Sequence, residues 1–287
     1  MKRALVLVAL AVAGCTSSSH YRSPQTRVTP GPDLAATPDC AKGNQTCINS
    51  IVAEMQRRYT RLASTCDHRA AFALMYMRVT EGVKKPDTKR FDDEAYLRRL
   101  DAQFARLYFK AFDSYQAGRP TDPAWRIAFE SAGRGMTTGI GDMLLGMNAH
   151  ISNDLPFAAV RAGVSAKRRS DFDAVNDLLG DVQAPMIREE STLLDPSVAR
   201  ATLPYLGVHG GEIATVISGW RTEAWQNARA LQAAAPGPER NDVAARIRAA
   251  AAQRAQVIQA LASNRLLGED ARARDTYCRT SGAGRTA

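Results

Sequence analysis

No Gly-x-Ser-x-Gly elbow, His-Glu-x-x-His pair, Walker loop or dinucleotide-binding glycine fingerprint occurs in the 287 residues. The chain therefore lacks the marks of an α/β-type serine hydrolase, a zincin, a P-loop NTPase and a Rossmann enzyme. Sustained alternation of apolar and polar residues is missing too, which argues against β-strands. Beyond the N-terminus no apolar run reaches the length a bilayer requires. Histidine is scarce, at four. Lysine and arginine are absent between Arg134 and Arg161, although the formal net charge is +9. A cation-free stretch in a basic chain marks a segment that other elements enclose.

What is present begins with an address. MKRALVLVALAVAGC combines two cations, an apolar run and a small-residue exit, the order of a secretory signal over residues 1–14. Its ending, Val12-Ala13-Gly14-Cys15, resembles the bacterial lipobox. That resemblance implies acylation of Cys15 and a lipoprotein anchored to the outer face of a membrane in the cell envelope; a plain secretion signal is the alternative. Residues 15–39, rich in Ser, Thr and Pro, read as the lipidated cysteine and a flexible tether, which holds His20 away from any site. Cys40, Cys47, Cys66 and Cys278 then form an even set in a compartment where disulfides persist. Cys40 with Cys47 and Cys66 with Cys278 is the favoured pairing. A zinc site is the alternative, and it lacks a C-x-x-C pair. Residues 40–278 are expected to form a single helical domain, with 279–287 a disordered tail.

Nearly every segment carries a helical period. Asn49 is placed to cap a helix bearing Ile51, Val52, Met55, Tyr59 and Leu62, and Asp67 to cap one bearing Phe72, Leu74, Met75 and Met77. A long helix over 92–116 follows, with Tyr96, Leu97, Leu100, Phe104, Leu107, Tyr108 and Phe112 as its buried stripe. Asp122-Pro123, Ser170 and Asp195-Pro196 are helix starts, and Pro185 ends or kinks its helix. A helix entered from Gly210 or Gly211 and a final long Ala- and Arg-rich helix complete an all-α fold, a single multi-helix bundle or orthogonal helical array. The arginine excess between Arg240 and Arg274 reads as a solvated helical face. As a binding surface it would suit envelope lipid or wall polymer, not nucleic acid, outside the cytoplasm.

The cation-free segment holds GMNAHISNDLP at 146–156. At about 100° per residue, Ile140, Leu144, Met147, Ile151 and Leu155 form one apolar stripe, while Gly139, Gly146, His150, Asn153 and Asp154 share another side with Asp142 at its edge. His150 and Asp154, one turn apart, can meet one proton, one metal ion or one ligand. Gly146 removes a side chain beside the imidazole, and Leu155-Pro156 is expected to end the helix. Three roles compete for the pair: a self-satisfied core contact, two ligands of a divalent metal such as zinc, or a catalytic base oriented by its carboxylate. Asn148, Asn153, Asp171 and Asn176 are candidate binding groups around it; for Asp171, Asp173 and Asn176 helix capping is the competing role.

GMNAHISNDLP, with FARLYF (104–109), PAWRIAF (123–129), DFDAVN (171–176) and WRTEAW (220–225), resembles a bacterial domain-of-unknown-function family whose hallmark is GMNAHI-x-x-DLP followed by D-[FY]-x-x-V-N. The resemblance covers about 67–231 and implies no activity. A looser similarity is to the all-helical zinc-dependent phospholipase C and single-strand nuclease superfamily, in which H-x-x-x-D supplies two metal ligands. His150 and Asp154 fit that spacing. The further histidine expected soon after the aspartate does not come until His209, and a trinuclear centre is excluded because His68, His150 and His209 are too few. At most one or two ions held mostly by carboxylates would survive.

Elsewhere, His68 reads as a surface residue at a stapled helix start, and His209-Gly-Gly-Glu212 as a turn more than a metal pair. Trp220, Arg221, Glu223 and Trp225 read as helix packing, with Arg221 placed to stack on Trp225. The sequence thus points to a lipid-anchored extracytoplasmic helical protein with a His150–Asp154 polar site. If it is an enzyme, the expected reaction is hydrolysis of an ester or phosphoester by metal-bound or His-activated water. The rival is a non-catalytic envelope binding or structural module.

Overall fold

A computed structural model of the chain describes residues 21–84, 90–200 and 213–283. The signal, Cys15, His20, His209 and Glu212 lie outside the described residues. Among those described there is no strand, only an isolated antiparallel bridge between Thr137 and Ser263, so the all-α expectation holds. The helices in chain order are α1 (Pro38–Lys42), α2 (Gln45–Ala63), α3 (Ala70–Lys84), α4 (Glu94–Gln116), α5 (Pro123–Arg134), α6 (Gly139–Asn148), a π-helical turn (Ala149–Asp154), α7 (Leu155–Ala162), α8 (Arg169–Leu193), α9 (Ile213–Ala233), α10 (Pro238–Leu261), α11 (Asn264–Leu267) and α12 (Ala271–Ser281).

Helix α6, the π turn and α7 form the central rod, and every residue from 137 to 156 is buried, as the missing cations indicated. Helices α3, α5 and α10 pack on α6, while α4 and α9 pack on the π turn and α7. Close approach to α3 needs Gly146: a Cβ there would lie 2.3 Å from Phe72 Cδ2. The missing side chain therefore admits the Phe72 ring, not a guest. Both favoured disulfides are present, Cys40–Cys47 and Cys66–Cys278, the second tying α12 to the turn between α2 and α3.

Local signals set most boundaries. Asp93 accepts the Tyr96 N–H at 2.7 Å and starts α4 within two residues of the expected place. Helix α2 starts a turn earlier than Asn49, at Gln45, because the Cys40–Cys47 link and the left-handed Gly43 turn α1 directly into it. Helix α8 runs unbroken through Pro185. That proline and Asp181, whose carbonyl it leaves without a donor, are both on the solvent side, where water serves instead.

The expected tether and tail differ from the structure. Over 21–39 the chain is a strap bonded to the body: the Ser23 N–H donates to the Gly133 carbonyl, the Thr26 N–H to Asp67 and the Val28 N–H to Gln116. Ser23, Thr26 and Val28 are buried. Its polar composition reflects a segment held by backbone bonds more than by apolar area. At the other end α12 extends to Ser281, and Ala283 is buried against the core.

Candidate functional site

Pro156 does not end the central helix. The wide π turn over Ala149–Asp154 resets the register so that α7 begins at Leu155. The proline then falls in a first turn, where its missing N–H breaks no ladder bond. This turn carries the site. His150 Nδ1 lies 3.1 Å from Asp154 Oδ2. Trp125 Nε1 donates to the same oxygen at 2.8 Å, and Asn153 Nδ2 donates to Oδ1 at 2.7 Å. Burial raises the Asp154 carboxyl to about 8, against the pull of the Trp125 and Asn153 bonds, and burial holds the His150 imidazole well below its ordinary value.

Aromatic rings fix the imidazole. Phe104 of α4 stacks parallel to it at 3.3 Å between centroids, and Tyr76 and Phe72 of α3 meet it edge-on at 4.4 and 5.8 Å. With Nδ1 committed to Asp154, Nε2 is buried without a partner among the described residues.

His150 belongs to the wall of a cavity of about 100 Å³ bounded by α3, α4, the central rod, α8 and α9. The lining is mostly hydrocarbon, including Val79, Leu97, Met143, Met147, Val175 and Ile217. Tyr76, Asp101 and His150 carry three buried polar atoms that have no partner among the described residues: Tyr76 Oη, Asp101 Oδ2 and His150 Nε2. Burial lifts Asp101 to about 7, opposed by a Thr80 hydrogen bond. Burial also pushes the Tyr76 phenol far up, reinforced by the charges of Asp101 and Asp154. An apolar cavity of 150 Å³ takes up benzene, so this one has room for a small head group or a short chain.

The other expected binding groups do not converge here. Asp171 accepts the Asp92 and Asp93 backbone N–H groups at 2.7 and 3.2 Å, a capping role, and Asp173 pairs with Arg169. Asn176 accepts from Arg221 Nε at 2.8 Å, behind the cavity wall. Asn148 donates to the Ala251 carbonyl and ties α6 to α10, while Asn153 supports Asp154. For a metal, His150 and Asp154 supply two groups that already bond each other. Among the described residues no group of three His, Cys, Asp or Glu is placed to hold an ion.

His68 is buried, not at the surface: its Nε2 meets Asp275 at 2.8 Å and the Tyr21 hydroxyl at 3.2 Å, beside the Arg274–Asp142 ion pair. Arg221 stacks on Phe172, 4.5 Å from its centroid, while Trp225 receives Arg169. Arg254 pairs with Glu223 and covers Trp220, so these two are packing residues. Tyr76 and Asp101 were not anticipated. Asp101 follows Leu97 by four and precedes Phe104 by three, so a carboxyl on the apolar stripe was the available signal.

The family model described as "Family of unknown function (DUF5995)" matches residues 48–261. No curated protein and no solved structure matches the chain.

Proposed function

We propose a function from one premise: the chain belongs to the DUF5995 family of unknown function, so the reading comes from the cavity itself. The cavity takes up a small carboxylic ester with an apolar body, and His150 activates the water that hydrolyses it. The supporting observation is that three residues of a mostly hydrocarbon wall, Tyr76, Asp101 and His150, carry buried polar atoms with no partner among the described residues, Tyr76 Oη, Asp101 Oδ2 and His150 Nε2. A buried polar group without a partner costs about 1–3 kcal/mol, which a bound polar end recovers.

With Asp154 ionised and accepting the Nδ1–H, the Nε2 lone pair faces the cavity. It takes a proton from water as the water oxygen attacks the ester carbonyl. The Tyr76 hydroxyl donates to the carbonyl oxygen as negative charge builds there. When the C–O bond breaks, the imidazolium returns its proton to the departing alkoxide. Below about pH 8 the proton kept by Asp154 lies toward Nδ1, Nε2 carries the ring hydrogen, and the base is lost. A phosphoester fits less well, because among the described residues Arg221 is the one cation in the lining and two of its nitrogens are already bonded.

We further infer that the protein works outside the cytoplasm, anchored through an acylated Cys15. The two disulfides support that compartment, and no described helix is long and apolar enough to cross a membrane. Hydrolysis of ethyl acetate, which matches the size of the cavity, tests the activity by release of acid. The wild-type rate should rise with pH through about 8, and His150→Gln should lower kcat/KM by at least about 100-fold. Equal rates for wild type and His150→Gln would refute it. The depressed basicity of His150 favours a second reading, a binding module in which the ring only donates to its ligand. Tight ligand uptake with no turnover would select it.

A further inference from the structure

Arg221 on α9 lines the same cavity and is only 4% exposed. Its Nε donates to Asn176 Oδ1 at 2.8 Å and its Nη2 to the Phe172 carbonyl at 2.5 Å. Nη1 makes no hydrogen bond among the described residues. The other deeply buried arginines are ion-paired: Arg58 with Glu54 and Asp113, Arg69 with Asp67, and Arg274 with Asp142. Arg221 has no carboxylate within ion-pair distance among the described residues. Taking a guanidinium out of water costs several kcal/mol unless a counter-charge meets it. Burial lowers its pKa to about 10, opposed by the charge of Asp173 from beyond ion-pair distance, which leaves it charged at neutral pH. Asn176 and Phe172 hold the plane of the group through two bonds and a ring contact, so the fork is fixed before any ligand arrives.

We propose that Arg221 anchors a carboxylate and that the ligand of this cavity is a small monocarboxylate with an apolar body. The substrate class rests on the hydrolytic reading: there the substrate is an ester that also bears a free carboxylate. A planar carboxylate matches the fixed guanidinium geometry. The hydrocarbon lining takes the remainder of the molecule, and a cavity of about 100 Å³ sets it at a few carbon atoms.

Calorimetric titration of the full chain with hexanoate and with 1-hexanol, which share a carbon skeleton, tests the assignment at neutral pH. Wild type should bind hexanoate at least tenfold more tightly than hexanol. Arg221→Gln should lose that preference while its hexanol affinity stays within about twofold, and Arg221→Lys should keep part of it. A carboxylate preference in wild type without ester turnover would keep this proposal while the hydrolytic one fails, which separates the two. Equal binding of the two ligands by wild type, binding of neither, or a preference unchanged in Arg221→Gln would overturn it. The wild-type comparison decides even if a variant fails to fold.

Discussion

Replacing Asp101 by asparagine isolates the energetics of the cavity wall. Asp101 is buried on α4 with Oδ2 unpartnered, and burial lifts it to about 7 from an ordinary aspartate value of about 3.9. Between those two values the folded protein keeps a proton that the unfolded chain has released. Stability is therefore fullest below about pH 4 and falls as pH rises through about 7. Roughly three pH units at about 1.4 kcal/mol each give a loss of at most about 4 kcal/mol. Asparagine has no proton to lose. Urea unfolding of both proteins from about pH 4 to about pH 8 at constant ionic strength reads the difference directly. Asp154 and Glu190 are also raised by burial, but they contribute to both proteins and cancel. The advantage of Asp101→Asn should grow by up to about 4 kcal/mol toward alkaline pH. A difference flat across the range would mean that Asp101 is hydrated or paired, and the reasoning about the wall would fail.

Loss of the Cys66–Cys278 disulfide, which spans 212 residues, should cost up to about 5 kcal/mol by chain entropy, against about 2 kcal/mol for Cys40–Cys47, which spans 7. Denaturant midpoints of the two Cys→Ser pairs check the order. Gly146→Ala sets a methyl against the Phe72 ring and should destabilise by about 1–3 kcal/mol, seen as a lower Tm.

Helical periodicity and capping chemistry made much of this fold legible. The stripe of α4 and its start near Asp92 follow from local sequence, and so does the burial of the cation-free rod. The His150–Asp154 bond was readable because both residues lie on one continuous helical segment. The π turn was not, since a regular period carries no mark of one wide turn, and proline rules alone predicted a stop. The strap over 21–39 was hidden because it is held by backbone amides reaching Asp67 and Gln116, which composition does not record. The remaining wall was hidden for a different reason. Tyr76, Asp101 and Arg221 come from α3, α4 and α9, and only tertiary packing brings them to one cavity.

Nitrogen-15 NMR of the imidazole of His150, followed from neutral to alkaline pH, tests the central claim most directly. As Asp154 ionises through about pH 8, its proton should pass to Nδ1 and Nε2 should lose its own, leaving a lone pair there. A ring that holds hydrogen on Nε2 and none on Nδ1 throughout would present a donor where the account requires a base, and would contradict it.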